Sequence, residues 1–575
     1  MDRDRDRDLS QPLERLNPAE TVKALSDYLR DGIAEGLSDP LTGAIPGDAP
    51  QILKFHGIYQ QDDRDLRDER RHQKLEPGFE FMVRLRLPGG VCQPWQWLKL
   101  DAVARRHANA TLRLTTRQTF QFHGILKGNL KPAIQAINAA MIDTLGACGD
   151  DNRGVLCSPI PERSALHAAM FPLTKRVSEH LMPQTRAYHE IWLDETPVAG
   201  GIHAEEPIYG RTYLPRKFKI AFVVPPDNDV DVFANDLGFI ASAEGDTLAG
   251  FTVCVGGGMG RTDNEPATYP RLADVIGFCT PDQVVAVAEQ VVTLQRDFGD
   301  RVERKHARMK YTIDDRGLDW FKQELERRLG WRLGEARPFA FTSNGDRLGW
   351  LEGPDGLSHY TLFVENGRVK GEMMEALRAI AGLHDGEFRL TANQNLIIAN
   401  IAPNRRADIA AVLDAYGLGE TRPLSLLRRN AMACVALPTC GLAMAESERY
   451  LPDLLTKLDA ILTECGLGDT PIITRMSGCP NGCSRPYIAE IGFSGRAPGH
   501  YNLYLGGGFH GQRLARLYLE NVGEDRILDA LTPLFRAYAA ERQVDEHFGD
   551  FLLRAGHVRE VLSGTPSPEI GRGPG

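Results

Sequence analysis

The chain has 575 residues, too many for one hydrophobic core, and roughly three or four domains are expected at this length. A formal net charge of −10 disfavours nucleic-acid binding, and no apolar run approaches the roughly 18–20 residues of a membrane span. We therefore expect neither a nucleic-acid partner nor a membrane. The opening residues MDRDRDRDLS lack the apolar region of a secretion signal and are typical of a solvated tail, so we expect a cytoplasmic location.

Residues 1–78 are predicted to form an N-terminal arm. The stretch YQQDDRDLRDERRHQK within it, at 59–74, is polar throughout and has no apolar face. Such a stretch is typical of an exposed loop or helix, or of a surface that binds another chain. Both interpretations stay open, and we take 1–78 as a candidate docking region for a partner.

A strand–helix–strand pattern occurs twice, at 79–145 and again at 339–422. The strand-like segments are FMVRLRLPGG and TLRLTTRQTFQFHGI in the first copy, and HYTLFVENGRV and FRLTANQNLIIANI in the second. Both copies contain R-L-T-x-x-Q at a constant offset of 276 residues, as from Arg113 to Arg389. This repeat predicts an internal duplication and a pseudo-two-fold architecture.

A larger α/β domain is predicted after each copy, at 146–338 and at 423–562. Each contains a strand-like run that ends in three glycines, GFTVCVGGGMG in the first and YNLYLGGGFHG in the second. The glycines indicate either a tight turn or a backbone that approaches a large ligand closely. The fold class is therefore α+β and internally duplicated, with two small halves and two larger domains. Residues 563–575, rich in Pro, Gly and Ser, are predicted to be a disordered tail.

The second larger domain contains two pairs of cysteines among the ten of the chain. Cys434 and Cys440 form a C-x5-C pair, and Cys479 and Cys483 form a C-x3-C pair. In a reducing compartment such cysteines bind metal or do redox chemistry rather than form disulfides. Zinc ribbons mostly use spacings of about two to four residues, so the wider first pair favours an iron–sulfur cluster. Zinc and buried structural cysteines stay open as alternatives.

Cations and polar side chains follow one another along the segment LRLTTRQTFQFHG. On a continuous strand the alternate positions share one face, and these positions are Arg113, Thr115, Arg117, Thr119, Gln121 and His123. The row contains no acid, whereas a solvent-facing strand normally mixes both signs of charge. We expect this face to bind a polyanion, with a solvent-facing strand as the alternative. Further cations lie on nearby segments, namely Arg84, Arg86, Arg153, Arg216, Lys217 and Lys219.

The motifs CVALPTC, GCPNGC, RLTTRQTFQFHG, LPRKFK and FRLTANQN together resemble the sirohaem- and [4Fe–4S]-containing sulfite and nitrite reductases. The resemblance covers nearly the whole chain. It implies that the small halves are ferredoxin-like, that 146–338 binds sirohaem, and that 423–562 carries the cluster. The implied cluster ligands are Cys434, Cys440, Cys479 and Cys483, with Cys483 also the axial ligand of the sirohaem iron.

The resemblance also implies cofactor and substrate contacts. Sirohaem carries many carboxylates, which fits a cationic row without acids. Its implied contacts are Arg113, Thr115, Arg117, Gln121, His123, Arg216, Asn393 and Asn481. The implied substrate-binding and catalytic residues are Arg84, Arg153, Lys217 and Lys219, since preorganised cations bind a small anion and ammonium groups donate protons.

The implied reaction is the six-electron reduction of sulfite to sulfide, for sulfate assimilation and cysteine biosynthesis. Electrons would come from NADPH through a flavoprotein (alpha) subunit carrying FAD and FMN. Nitrite reductases of this family tend to carry PRKWN and CPNSC where this chain has PRKFK and CPNGC. The extra charge of Lys219 suits dianionic sulfite better than nitrite.

Three points stay open. A ferredoxin-dependent sulfite or nitrite reductase is the close alternative. A non-catalytic iron–sulfur carrier or a zinc-stabilised binding protein is the distant one. Ser484 follows Cys483 and either donates a hydrogen bond to a sulfur or faces outward.

Overall fold

The computed structural model describes residues 13–160, 164–184, 191–193, 196–199, 206–420 and 423–559. The predicted tail at 563–575 and the opening MDRDRDRDLS lie outside the described residues. No helix in these ranges is long and apolar enough to cross a membrane.

The α-helices of the described residues are, in chain order, α1 (Pro18–Leu25), α2 (Ile33–Ser38), α3 (Ala49–Leu53), α4 (Arg67–His72), α5 (Pro94–His107), α6 (Lys127–Ala139), α7 (Ala165–His180), α8 (Val284–Phe298), α9 (Met309–Arg316), α10 (Leu318–Leu329), α11 (Glu372–Leu383), α12 (Arg406–Ala415), α13 (Leu426–Arg429), α14 (Leu451–Glu464), α15 (Glu524–Glu541) and α16 (Phe548–Arg554).

The strands of the same residues are β1 (Ile58–Asp62), β2 (Phe79–Arg84), β3 (Val91–Cys92), β4 (Leu112–Leu114), β5 (Phe120–Ile125), β6 (Leu156–Cys157), β7 (Ile191–Leu193), β8 (Thr196–Ala199), β9 (Ile220–Val223), β10 (Leu237–Glu244), β11 (Thr247–Val255), β12 (Asp274–Cys279), β13 (Gly349–Glu352), β14 (Ser358–Leu362), β15 (Arg368–Val369), β16 (Glu387–Leu390), β17 (Leu396–Ile401), β18 (Ala431–Ala433), β19 (Thr474–Ser477), β20 (Ile491–Ala497), β21 (His500–Leu505) and β22 (Arg516–Val522).

The strands form two matched pairs of five-stranded sheets, beside a small β7–β8 ribbon. The two small sheets are antiparallel throughout, in the orders β1-β2-β5-β4-β15 and β13-β14-β17-β16-β3. The two larger sheets, β6-β9-β10-β11-β12 and β18-β19-β20-β21-β22, each begin with three parallel strands and end with antiparallel ones. Every strand of the five-stranded sheets of one copy thus has a counterpart in the other. The predicted α+β, internally duplicated fold is confirmed.

Each small sheet is completed by a two-residue strand from the other half. β15 pairs with β4, and β3 pairs with β16. Because each half extends into its neighbour, their apolar faces merge into one core. At its centre the Trp97 ring lies 5.5 Å from Phe120 of the first half and 4.8 Å from Phe388 of the second. The two halves therefore share a single hydrophobic core.

The segment predicted as one strand at 111–125 is a hairpin formed by β4 and β5. The Thr115 amide donates to the Thr119 carbonyl (3.0 Å), and Gln118 has a left-handed φ of 50°. The second copy has the same turn, with Gln394 at φ 71°. The single-strand prediction is wrong because neither Gly nor Pro marks this turn, and Gln adopts a conformation that it rarely takes.

Each larger sheet is covered by amphipathic helices. In the first larger domain α8 buries Val284, Val287 and Val291, which recur at helical spacing. In the second, α14 buries Leu451 and Leu458 in the same way, and each helix belongs to its own domain's core. The two domains therefore have separate cores, unlike the small halves.

The glycine triplets pack against the protein itself. A Cβ on Gly257 would lie 2.1 Å from the Phe233 carbonyl oxygen, and one on Gly507 would lie 2.2 Å from that of Ala489. Only glycine fits so close to another backbone. Close approach within each domain explains these positions without a large ligand.

Residues 1–78 are not the separate arm that the sequence predicts. β1 pairs along its whole length with β2, from Ile58 opposite Val83 to Asp62 opposite Phe79. The first small sheet would lose its edge strand without this segment. The arm boundary is therefore wrong for 58–62. The polar stretch at 59–74 overlaps this strand, so the sequence shows no apolar alternation that would indicate a strand.

The helix α1 is attached to the first larger domain by buried charges. Lys23 donates to Glu20 Oε1 (2.7 Å) and to the Leu214 carbonyl (2.7 Å), and it lies 3.5 Å from Asp150. Arg301 donates to the other oxygen of Glu20 (2.5 Å). A buried charge left without its partner is costly.

We expect Lys23→Met to destabilise the protein by about 3–5 kcal/mol, because it removes one partner from a buried ionic network. The measurement is urea unfolding followed by circular dichroism. Lys175→Met is the matched control, since Lys175 pairs with Glu179 on an exposed face of α7 and its loss should cost under about 1 kcal/mol. Equal unfolding midpoints for the two variants would contradict the assignment.

Candidate cluster and anion-binding site

The two cysteine pairs lie at the carboxyl ends of β18 and β19. These strands are parallel neighbours, so their carboxyl ends meet at one edge of the sheet. Cys434 follows β18 directly, while Cys479 and Cys483 lie in the loop after β19. The Gly478 amide donates to Cys434 Sγ (3.3 Å), and the Cys434 amide donates to the Met476 carbonyl (3.2 Å). The sheet thus brings together two distant parts of the sequence.

The four thiols lie close enough to affect one another's ionisation. Burial raises the pKa of Cys434 to about 12, and Cys483 is the next cause. Burial followed by Cys483 also raises the pKa of Cys479 and of Cys440. Such thiols ionise when a metal replaces the proton.

A zinc site and an iron–sulfur cluster place their thiolates differently. A structural zinc ion gathers its ligands around one centre, whereas an iron–sulfur cluster binds its thiolates through several irons. In the described part of the chain, no three Cys, His, Asp or Glu side chains are placed to hold a single metal ion.

The glycines of GCPNGC serve local packing. A Cβ on Gly478 would lie 2.4 Å from that of Ala436, and one on Gly482 would lie 2.7 Å from the Tyr487 ring. Both neighbours belong to the second larger domain. These glycines let the two cysteine loops approach each other and the core.

Ser484 does neither of the things that the sequence left open. Its side chain is buried, and its hydroxyl donates to the Met476 carbonyl (2.7 Å). The Ser477 hydroxyl lies 2.7 Å from the Ser484 hydroxyl and accepts from the Ser484 amide (3.2 Å). Ser484 therefore fixes the end of the loop rather than facing a sulfur or the solvent.

Only part of the predicted polar strand face is present in the first hairpin. Arg113 and Gln121 lie opposite each other on β4 and β5, and His123 follows on the same face. Both ring nitrogens of His123 are buried without a hydrogen-bond partner among the described residues. Burial, then Arg368 and Arg113, lowers the pKa of His123 well below its usual value, so the ring is neutral. Unused buried nitrogens fit a polar ligand.

Arg113 has an acid partner, contrary to the acid-free row. Its guanidinium is paired with Glu448, and its Nη2 donates to the Ala433 carbonyl (2.8 Å). The acid comes from a residue 335 positions away, which no local pattern could show. Arg113 therefore ties the first half to the residue before Cys434.

Thr115 and Arg117 lie in the hairpin turn. Thr115 Oγ1 accepts from the Arg117 amide (3.2 Å), and Arg117 donates to Asn235 Oδ1 (2.7 Å) and to the Gly154 carbonyl (2.5 Å). Burial, followed by the nearby Arg485, lowers the pKa of Arg117 to about 9. The turn thus places a cation against the first larger domain.

The two asparagines lie in different places. Asn481 donates to Cys479 Sγ (3.5 Å), so it belongs to the loop of the second cysteine pair. Asn393 donates to Asp346 Oδ1 (3.2 Å) and to the Asn344 carbonyl (3.2 Å). Its amide is therefore used to bind the segment that precedes β13.

Arg84 and Arg153 flank Tyr59. Arg84 Nη1 donates to Cys148 Sγ (2.9 Å), and its guanidinium lies 6.0 Å from the Tyr59 ring centre. Arg153 Nη2 donates to the Gly149 carbonyl (3.1 Å) and to the Tyr59 hydroxyl (3.5 Å). The two predicted substrate-binding arginines thus lie together.

Lys217 and Lys219 are half-buried beside these arginines. Burial, then Arg153 and Lys219, lowers the pKa of Lys217 well below its usual value. Burial, then Arg117, does the same for Lys219. Within the described residues neither ammonium group has an ion pair or a hydrogen bond. Crowded cations, two of them without an ion pair, are typical of an anion-binding site.

Arg216 directly precedes Lys217 and forms an ion pair with Asp150. Asp150 lies 3.8 Å from Arg216, 2.9 Å from Arg304 and 3.5 Å from Lys23. Burial opposes ionisation, but Arg304 and Lys23 keep the pKa of Asp150 below its usual range. Arg216 is therefore partly neutralised, unlike the two lysines.

Several residues of this site were not predicted from the sequence. Glu448 binds Arg113, and Asp236 forms a buried pair with Arg308 (2.8 Å), whose charge acts on Lys219. These pairs join distant segments and leave no local signal. Tyr59 is the first residue of the polar stretch at 59–74, which the sequence indicates as an exposed segment or a docking surface rather than as part of this site.

Two family models match the chain. The "Nitrite/Sulfite reductase ferredoxin-like half domain" matches residues 72–140 and 351–416, and the "Nitrite and sulphite reductase 4Fe-4S domain" matches residues 174–333. The "Sulfite reductase [NADPH] hemoprotein beta-component" of Nitrobacter hamburgensis is 60% identical over 98% of each chain. The protein of the same name from Nitrosomonas europaea is 58% identical, also over 98% of each chain.

The chain belongs to the nitrite and sulfite reductase family. This confirms the resemblance inferred from the cysteine loops and hairpins. A solved structure of this fold, that of the Mycobacterium tuberculosis NirA protein, matches with a TM-score of 0.74 and 25% identity, covering 95% of this chain and 97% of that one. The two half-domain matches fall on the two small sheets, so they identify the duplication independently of the strand order.

We expect Cys483→Ser to remove most sulfite reduction and to change the visible spectrum, because Cys483 is the candidate ligand of both metal centres. Absorption spectra, iron content and dye-driven sulfite reduction are the measurements. Cys465→Ser at the end of α14, outside both pairs, should leave all three unchanged. A fully active Cys483 variant with an unaltered spectrum would refute the bridging role.

Proposed function

We propose that this chain is the haemoprotein component of an NADPH-dependent sulfite reductase, which reduces sulfite to sulfide by six electrons in sulfate assimilation and cysteine biosynthesis. The observation that carries the proposal is the contact between the cationic hairpin and the cluster loops. Thr116 Oγ1 in the hairpin turn donates to the Cys483 carbonyl (3.1 Å). The first larger domain adds a second contact, from the Arg261 amide to the Pro480 carbonyl (3.0 Å). The cations and the thiols therefore form one site.

The residues present fit a sirohaem and a [4Fe–4S] cluster. Cys434, Cys440, Cys479 and Cys483 would hold the cluster. Cys483 is exposed whereas the other three are buried or half-buried, which fits a thiolate that also meets the sirohaem iron. The unused nitrogens of His123 and the cations around it would face the sirohaem carboxylates. When bound, the coupled centre supplies the electrons.

The cations of the first copy would bind and protonate the substrate. Arg84, Arg153, Lys217 and Lys219 supply positive charge for a small dianion whose oxygens leave as water. Because the pKa of each lysine is lowered, its ammonium group gives up a proton more readily than an exposed lysine does. Arg84 and Arg153 would hold the anion in place.

The electron donor would be a flavoprotein alpha subunit carrying FAD and FMN, in the cytoplasm. The names of the relatives include NADPH and a beta component, which favours this donor over ferredoxin. Residues 1–78 remain our candidate docking region. Deleting them is a poor test, since β1 and the buried Lys23 would be lost as well. The exposed face of α4 is the part that a partner could reach.

The visible spectrum of the purified protein and its turnover test the proposal. We expect haem-type absorption bands, bound iron and acid-labile sulfide, and sulfite reduction driven by a reduced viologen dye. A colourless protein with zinc would end this interpretation. When the flavoprotein subunit is added, NADPH should drive sulfite reduction in place of the dye. Sulfite reduction with ferredoxin alone would favour a ferredoxin-dependent reductase.

We expect Lys219→Asn to weaken sulfite use several-fold more than nitrite use, because a dianion loses more binding energy than a monoanion when one cation is removed. Sulfite and nitrite should be assayed side by side with the same dye, as kcat/KM. Lys305→Asn, at an exposed lysine paired with Glu265, is the control and should change neither. An unchanged ratio of the two activities would show that Lys219 does not select the substrate.

A further inference from the structure

Arg64 connects the N-terminal segment to the first cysteine loop. It lies between β1 and α4, in the charged stretch QQDDRDLRDER. Its Nη1 donates to the Ala443 carbonyl (2.5 Å) and more weakly to the Cys440 carbonyl (3.5 Å). Its backbone amide donates to the Pro438 carbonyl (3.3 Å). One residue thus binds the loop before, at and after Cys440.

The neighbouring charges of this stretch have partners of their own. Asp62 is bound by Arg67 (2.5 Å), and Asp65 is bound by Arg449 (2.6 Å). Within the described residues Arg64 has no carboxylate partner, and its side chain is half-buried. Its positive charge therefore lies against the first cysteine loop, at 434–443, and no carboxylate neutralises it.

The loop needs such support from outside. Between Cys434 and Cys440 it contains no regular element, and its internal bonds include those from the Cys440 amide to Ala436 and from the Ala443 amide to Cys440. The carbonyl oxygens of Pro438 and Ala443 accept from Arg64 instead. Donors from a second segment restrict how far Cys440 can move.

We propose that Arg64 is a positioning residue for the iron–sulfur cluster, which fixes the Cys440 loop in its ligating conformation and raises the reduction potential of the cluster. This rests on the proposed four-cysteine cluster. A nearby cation stabilises the reduced form, which carries one more negative charge, and the low polarity of a half-buried site strengthens the effect. The hydrogen bonds to the loop act as an outer shell for the ligand.

The proposal divides the charged stretch into two parts. Its beginning, up to Asp65, serves the cluster loop, because Asp65 reaches the same region through Arg449. Its end, in α4, is exposed and forms pairs within itself, such as Arg71 with Asp68 (3.3 Å). The second part, which has no buried residue, is the more available to another chain.

The test compares Arg64→Gln and Arg64→Lys with the wild-type holoprotein. Release of iron to a chelator and an EPR-monitored redox titration are the measurements. In Arg64→Gln we expect iron release on the order of tenfold faster and a lower cluster midpoint potential. Arg64→Lys keeps the positive charge but loses the guanidinium that donates to the loop carbonyls. For this variant we expect faster iron release at an unchanged cluster potential. Arg71→Gln is the control and should match the wild type.

The outcomes separate this inference from the proposed function. If the wild type holds cluster and sirohaem and reduces sulfite, yet Arg64→Gln matches it in iron release and potential, only the role of Arg64 is overturned. A lower melting temperature with unchanged iron release and potential would also overturn it, since that is a merely structural effect. A wild type without iron would instead overturn the proposed function.

Discussion

The carbonyl oxygen of Ala433 is the point on which the arrangement of the site depends. It accepts from Arg113 Nη2 of the first half (2.8 Å) and from Gln394 Nε2 of the second half (2.9 Å). The next residue is Cys434. Both small halves are thereby attached to the backbone that begins the cluster site. The shared core of the halves makes this attachment rigid, because neither hairpin can shift without the other.

The duplication explains why these contacts come in pairs. Gln118 of the first hairpin donates to the Cys157 carbonyl (2.8 Å), at the end of the first strand of its larger sheet, as Gln394 does in the second copy. The two copies also meet directly at Asp231 and Arg485. Both residues are left-handed, each precedes a single helical turn, and they form an ion pair with each other. The repeated Gln thus binds each hairpin to its larger sheet, and the Asp231–Arg485 pair joins the two larger domains.

The sequence was informative where function depends on local order. The cysteine spacing and the repeated R-L-T-x-x-Q are short-range patterns, and they predicted the thiol group and the duplication. The exchanged strands β3 and β15 have two residues each, which is too short for any periodicity. The turn at Gln118 is stabilised by a distant carbonyl rather than by Gly or Pro, and the partner of Arg113 lies in another domain. Such features follow from tertiary contacts that one sequence does not display.

The duplication also accounts for a single site in a molecule with two copies of each part. Alignment of the hairpins and larger sheets places Ser158 where the second copy has Cys434, and Asp229 where it has Cys483. Ser158 donates to Asp229 (2.8 Å), so a hydrogen bond in the first copy takes the place of two thiols. Conversely, the positions of Gln121 and His123 are occupied in the second copy by Ile397 and Ala399, which pack in an apolar cluster. The four candidate cluster cysteines lie in the second copy, and the cations of the first hairpin, Arg113 and Arg117, lie in the first. They come together where the first half meets the second larger domain, at the bonds that converge on Ala433.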